Sequence, residues 1–475
     1  MYFNMIKYAK KIIKLIVNMQ KYFFEFRKLI KIGIPIFGSQ LSYALMGTTD
    51  TIIAGRASAN DLAGLAVGTA FSNTVWFFFT GIIFAVTPIV AQLYGAKKFL
   101  EIGKKLREIL WVAAALGLLM AFIFFNMNIV IDLLPIKSSI TSITIDYLKA
   151  VSIGWFFVTI FTCLRCYSEG MTYTKPVFYI AFAGVLLNIP LDLIFVYGYF
   201  GAPKLGGVGC GIATTIVSFI MMISIFIYIN ISQKYKKTKP FIEFTLPSLR
   251  TTKEVFKLGL PIGLGIFIEL SMFSGAAIIL SVLGEIVVAG HSVAINIASL
   301  FFMVPLAIGL ASSTRVGNLI GERNPKQAKV AASSTIMLCM MGALMNSVII
   351  ILFGSYIVGL YTTELPVLEL AISLIFFAAI FQLPDGIQMG ALGSLRGYKD
   401  TFIPMILLLI SYWIFAMPIG YYLTNFGFGN PYGAKGMWYG MIIGLTIFSF
   451  LSIFRLRWIM NSKIRKMFKQ ELQPL

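Results

Sequence analysis

The chain is 475 residues long, 58% hydrophobic and 15% aromatic, with a mean hydropathy of +0.87. Only 12% of its residues are charged, about half the share of a soluble protein, which excludes an ordinary water-soluble enzyme and a disordered scaffold. The excess of 39 Lys and Arg over 19 Asp and Glu, a net charge of +20, then points to basic loops beside a membrane rather than to nucleic acid.

Residues 1–28 read as a basic amphipathic segment. Lys7, Lys11, Lys14, Asn18, Lys21, Glu25 and Lys28 recur every three or four residues, predicting one polar face on a helix of Ile, Leu, Phe and Tyr. Such a helix suits the anionic inner leaflet. Its apolar run Ile12–Val17 is too short, and is interrupted by Lys14, to be a cleavable signal. Six spans follow at about 29–53, 63–94, 107–133, 143–170, 177–198 and 209–232, making an N-terminal bundle over 29–232. A polar linker, 233–256, carries Lys234, Lys236, Lys237, Lys239 and Arg250 and reads as a hinge. Six more spans at about 257–283, 287–320, 330–361, 367–394, 401–424 and 434–458 make a second bundle over 257–460, and 461–475 is a basic tail. The predicted fold is an all-α membrane protein with twelve transmembrane helices in two six-helix bundles.

Thirty-four basic residues fall on the side of the linker and both termini. Five (Arg56, Lys137, Lys149, Lys204 and Lys435) fall on the other. That asymmetry predicts cytoplasmic termini and a multi-pass protein of the cell's inner membrane.

The two bundles are predicted to be copies. Lys31-Ile-Gly33-Ile-Pro35 recurs as Lys257-Leu-Gly259-Leu-Pro261, an offset of 226. Ala63, Gly64, Val67 and Gly95 match Ala289, Gly290, Val293 and Gly321 at the same offset, and Pro190 matches Pro418 at 228. Six spans per copy give both copies the same orientation, as in transporters that bind substrate between repeats and rock one against the other.

Four acids lie well inside the predicted spans: Asp50, Asp192, Glu269 and Asp385. A carboxylate at the bilayer centre costs at least about 2.5–3.5 kcal/mol and marks an ion or substrate path. Asp50 lies fifteen residues beyond Pro35, roughly 22 Å along a helix, and Asp192 enters to a similar depth past Val177. Glu269 and Asp385 lie roughly 12 Å and 16 Å from the cytoplasmic ends of their spans. Each copy thus offers a pair at matched depth, expected to hold a proton or Na⁺. Asn188, one turn before Asp192, and Gln40 offer amide oxygens in the first copy; Gln382 and Gln388 flank Asp385 in the second. No basic residue is expected at these depths to neutralise the acids.

The remaining polar groups bound the chemistry. Cys163 and Cys166 form a CxxC, yet no second CxxC and no nearby His complete a metal site. His291 reads as a packing residue, and the glycines from Gly206 to Gly211 as a tight turn rather than a phosphate loop. No GxxxxGK[ST] motif supports an ATP-driven pump, and no clustered acids support an integral membrane transferase. Some of the Phe, Tyr and Met residues could line a cavity for flat organic cations.

Several ordered motifs resemble the multidrug and toxic compound extrusion (MATE) transporters, and particularly their NorM-type branch. They are Thr49-Asp50-Thr51, Ala54-Gly55, Leu187-Asn188-Ile189-Pro190-Leu191, and Pro261 through Glu269. Ala289-Gly290-His291-Ser292-Val293-Ala294, Arg315-Val316-Gly317 through Glu322, and Gly393 through Asp400 complete the set. The likeness covers about residues 25–460. It implies antiport of amphipathic, mostly cationic compounds against Na⁺ or H⁺, with Asp50, Glu269 and Asp385 in coupling roles. NorM-type members often carry Asn where this chain has Asp192, which is similar to the DinF-type branch with its N-terminal cation site. Phe381 stands where a Tyr is often found. The expectation is a secondary transporter, not an enzyme, without a cofactor beyond the coupling ion, and a functional monomer surrounded by lipid. Cation sites are expected at Asp50, Asn188, Asp192, Glu269 and Asp385, and a substrate cavity at Gln40, Phe381, Gln382 and Gln388. Alternatives are a related lipid-linked precursor flippase, which would favour a basic cavity, and a membrane transferase.

Overall fold

The computed structural model describes the backbone of residues 2–132 and 138–471, and the side chains of 19–132 and 138–465. Among these residues twelve helices are long and apolar enough to cross a membrane. They are α1 (Tyr2–Ala57), α2 (Ala59–Gly95), α3 (Phe99–Phe125), α4 (Ser138–Gly170), α5 (Lys175–Tyr197) and α6 (Gly207–Ile231). The second six are α7 (Leu249–Ser281), α8 (Glu285–Gly321), α9 (Pro325–Gly359), α10 (Leu365–Gly397), α11 (Phe402–Asn425) and α12 (Ala434–Glu471). No strand occurs among the described residues, so the chain is an all-helical, multi-pass membrane protein. Only self-contained hydrogen bonding of this kind survives in lipid.

The 226-residue repeat is written into the backbone. Lys97 and Arg323, which are repeat equivalents, both sit in the left-handed region at φ 57°. The hairpin closes each time by the same bond: Lys98 N–H donates to Leu93 C=O at 3.0 Å, and Asn324 N–H to Leu319 C=O at 2.9 Å. Asn324 then caps α9 by accepting from Gln327 N–H at 3.1 Å, with Pro325 in the first turn, where a missing N–H does no harm.

Packing divides the chain into two compact units. One is Pro35–Leu270; the other joins the segment before Pro35 to Ser271–Leu475. The divisions fall inside α1 and inside α7. In the first unit Gly259 and Gly263 of α7 lie on α2, where an added Cβ would come within 2.2 Å of Ile82 O and 2.4 Å of Phe78 O. In the second unit Gly33 of α1 lies on α8, its Cβ position 3.7 Å from Ala311 Cβ. Each unit is thus completed by a half-helix from the other copy.

The ends of these half-helices are clasped. Glu25 of α1, a position the sequence placed on an outward polar face, is fully buried. It accepts from Arg315 Nε and Nη2, both at 2.8 Å, and from Gln327 Nε2 at 2.7 Å. Its repeat equivalent is Thr251 of α7. Lys105 of α3 donates to Thr251 Oγ1 at 2.7 Å and to Glu254 at 2.9 Å, and Thr251 donates to buried Glu108. Lys21 and Lys28 are exposed as expected, whereas Lys7, Lys11, Lys14 and Asn18 lie outside the described side chains.

The polar stretch after α6, read from the sequence as a hinge, is fastened down. Tyr235 is buried, stacked on Tyr167 of α4 and paired with Ser168 at 2.5 Å. Thr238 pairs with the Tyr167 hydroxyl at 2.6 Å, and Arg107 Nη1 of α3 donates to Lys239 C=O at 2.9 Å. Burial lifts the Tyr235 hydroxyl above its ordinary titration range.

Close helix contact gives a test of the packing. A Cβ on Gly393 of α10 would lie 2.0 Å from Gly309 O of α8, a backbone atom that cannot swing away, whereas Gly47 faces open space. Gly393→Ala should lower stability by about 1–3 kcal/mol and Gly47→Ala should not, measured as the thermal midpoint in detergent. Equal midpoints would mean that α8 and α10 are not held this closely.

Candidate functional site

Within the unit Pro35–Leu270, three helices bring together the acids predicted for the first copy. Asp50 on α1 faces Asn188 and Asp192 on α5 and Thr214 on α6. All three predicted residues are buried, at 7%, 0% and 0% exposure. Asn188 and Asp192 share a face because they are one turn apart. Thr214 Oγ1 donates to Asp50 Oδ2 at 3.2 Å, and Cys210 Sγ donates to the Asp50 backbone carbonyl at 3.6 Å. Asp50 Oδ1, both Asp192 oxygens and both Asn188 amide atoms are buried and make no hydrogen bond among the described residues. The carboxylates face one another without being satisfied. Buried, partnerless oxygens of this kind fit a proton or a hard cation, whose ligands are carboxylate and amide oxygens.

Gln40 of the same unit has a different place. It accepts from Arg165 Nη2 at 3.1 Å. Arg165, 5% exposed in α4, also donates to buried Glu169 at 2.8 Å and lies 5.3 Å from the Tyr43 ring centre. A basic residue is therefore buried near the end of α4, and it is bound to Glu169, one turn away, rather than to Asp50 or Asp192.

The other unit holds Asp385, Gln382, Gln388 and Phe381, all on α10 and all buried. Gln388 Nε2 donates to Asp385 Oδ1 at 2.8 Å, and the Tyr412 hydroxyl of α11 donates to Gln388 Oε1 at 2.6 Å. Tyr412 sits in a π-helical stretch, Ile410–Ala416, a local widening often found at functional sites. Gln382 donates to Ala298 C=O at 3.1 Å and accepts from Asn346 at 3.3 Å, tying α8, α9 and α10 together. Phe381 packs against Phe273 and Trp438, each ring centre 6.0 Å away, and His291 lies 5.8 Å from Trp438. Glu269 is half-buried at the end of the unit Pro35–Leu270, while Asp385 belongs to the other unit.

Sequence reasoning missed Thr214, Tyr412 and Asn346. A signal existed for the first, since Thr214-Thr215 interrupts an apolar run. Asn346 likewise sits mid-span.

Three kinds of comparison bear on this arrangement. The MatE family model matches residues 35–194 and 261–422, two copies beginning 226 residues apart at Pro35 and Pro261. The chain is 38% identical over 443 residues to "Multidrug resistance protein NorM" of Vibrio cholerae, covering 93% of this chain and 97% of that protein. It is 37% identical to "Multidrug resistance protein MdtK" of Yersinia pseudotuberculosis, with the same coverage. Among solved structures, the eukaryotic MATE transporter AtDTX14 aligns with a TM-score of 0.84 at 18% identity, over 94% of this chain and 100% of that one. An outward-facing multidrug resistance MATE family transporter aligns with a TM-score of 0.83 at 20% identity, over 92% and 96%. These structural likenesses show the fold.

The Tyr412–Gln388–Asp385 chain can be tested by deletion. Gln388→Leu removes one partner from the Tyr412 hydroxyl and one from Asp385, and should cost about 1–3 kcal/mol for each buried group. Tyr412→Phe in the same background should restore part of that loss. An unchanged thermal midpoint for Gln388→Leu would show that the chain contributes nothing.

Proposed function

Because this chain belongs to the MatE family of multidrug and toxic compound extrusion (MATE) transporters, we propose that it exports amphipathic, mostly cationic compounds across the inner membrane in exchange for Na⁺ or H⁺. The observation that carries the coupling is the group Asp50, Asn188 and Asp192. Among the described residues its carboxylate and amide atoms are buried without a hydrogen-bond partner, apart from the one bond from Thr214. Two ionised carboxylates cannot stay so enclosed, so they share a proton or take up Na⁺. Asp50, Asp192 and Asn188 would hold the ion through their oxygens, with Thr214 fixing the Asp50 carboxylate. Ion occupancy then biases the transporter between its two facings to the extent that one facing binds the ion more tightly.

The second copy supplies Glu269 and Asp385 as further coupling acids, one in each unit. Phe381, Phe273 and Trp438 offer aromatic faces to a flat cation, with Gln382 and Gln388 as polar groups of the same unit. Alternating access is supported by the clasps at repeat-equivalent positions, Glu25 on Arg315 and Gln327, and Thr251 with Glu254 on Lys105. Opening these clasps would release each half-helix from the unit that it completes. The basic asymmetry supports cytoplasmic termini.

Transport into inverted vesicles, with Na⁺ and pH gradients imposed separately, tests the reading. Asp50→Asn and Asp192→Asn should each abolish most ion-driven uptake, and the double variant should be no worse than either single. Mild, additive losses would make them unrelated packing residues. Glu269→Gln and Asp385→Asn should also cut transport while the protein still inserts; wild-type rates in both would leave that pair without a role.

Glu25→Ala leaves Arg315 without its carboxylate, a loss of about 3–5 kcal/mol for a buried pair. It should expose a cysteine placed at Gly33 to labelling from the cytoplasmic side. Labelling no faster than in the parent would mean that the clasp does not govern opening.

A further inference from the structure

The linker after α6 presents a face that neither the ion path nor the helix packing uses. Ile242, Phe244, Leu246 and Leu249 are 68%, 80%, 71% and 79% exposed. They are flanked by exposed Lys234, Lys236, Lys237 and Lys239 on one side and by exposed Arg250 and Lys253 on the other. The segment's one exposed acid, Glu243, lies 3.7 Å from Arg107. Four large apolar side chains bracketed by unneutralised cations are a costly thing to show to water.

Two contacts fix the height of this segment. Trp111 Nε1 donates to Thr245 C=O at 2.9 Å, and the Trp111 ring meets Phe244 edge to face at 5.9 Å. Trp111 lies twelve residues into α3, about 18 Å from its start. On the other flank Phe241 packs on Phe226 with ring centres 4.6 Å apart. Phe226 lies five residues before the end of α6, about 7 Å inside it. The segment therefore climbs beside the apolar stretches of α3 and α6, while its lysines stay at the helix ends. Arg107, donating to Thr245 Oγ1 at 2.7 Å and to Lys239 C=O, holds it there.

We propose that residues 240–249 form an interfacial anchor that seats in the leaflet beside α3 and α6 and selects anionic phospholipid. Phe244 and Leu246 enter the acyl region, Trp111 marks the interface, and the lysines on the α6 side bind phosphate headgroups. Each Lys near an anionic surface contributes attraction worth about a fivefold change in partition.

The four native cysteines are all buried, so a single introduced cysteine can be labelled in the full chain. Bimane on Phe244→Cys, in vesicles containing phosphatidylglycerol, should be quenched by doxyl-labelled lipid and protected from aqueous iodide. Bimane on Lys236→Cys should show the reverse preference. Changing Lys234, Lys236, Lys237 and Lys239 to Gln in the Phe244→Cys chain should erase the difference between phosphatidylglycerol vesicles and pure phosphatidylcholine vesicles. A thermal midpoint like the parent's confirms that each variant is folded. Iodide quenching at position 244 equal to that at 236 would overturn the proposal and leave the face open to a soluble partner. Lipid quenching that ignores anionic content would overturn it as well.

Discussion

An acid buried in a membrane protein must be answered by something, and most of this chain's buried acids have their answer within the protein. Glu25 has Arg315 and Glu169 has Arg165, and the half-buried Asp400 has Arg455 at 2.7 Å. In such pairs the positive charge is permanent, because an Arg cannot release its proton at any accessible pH. Asp50 and Asp192 break the pattern. Their surroundings are an amide, a hydroxyl and each other. A charge balance that is left open by the protein is closed by whatever small cation arrives, and this is what makes the site a candidate for work rather than for support.

The open balance is useful only because the walls around it are fixed. Asp192 and Asn188 ride on α5, whose packing against α6 is tight enough that a Cβ on Gly184 would come within 2.7 Å of Met221 Sδ. Asp50 sits on the part of α1 that follows Pro35. Because proline removes one backbone hydrogen bond, the two parts of α1 can belong to different units while remaining one helix. In α7 the change of unit falls nine residues beyond Pro261, between Leu270 and Ser271.

Much of this was legible in the sequence. Hydropathy alone placed twelve spans, since a run of twenty apolar residues has few other uses, and the 226-residue offset survived as an identical left-handed turn at Lys97 and Arg323. Asp50, Asn188 and Asp192 were readable as a group because cost and depth are local properties. What stayed hidden depends on neighbours from far along the chain. Glu25 carries a helical period that suits an exposed face, and only Arg315, 290 residues later, shows it to be buried. Gln40 looks like any amide in a span until Arg165 reaches it. Thr214 and Tyr412 are ordinary residue types whose importance lies in where their hydroxyls point. Likewise, the polar and basic residues of the linker suggest slack, whereas Tyr235, Thr238 and Arg107 nail it to α3 and α4.

The exchange of half-helices has a consequence for how the molecule is made. The unit Pro35–Leu270 cannot close until the ribosome has delivered Gly259 and Gly263, and the stretch before Pro35, made first, must wait for α8 and α9. Synthesis order and assembly order therefore differ at both ends. The earliest segment stays unpaired while some 290 further residues are inserted, and its Glu25 meets Arg315 only then. Neither copy is a self-sufficient folding unit, so a chain cut in the linker would yield two fragments that need each other, and the duplication that built the protein also bound its two halves to a shared fate.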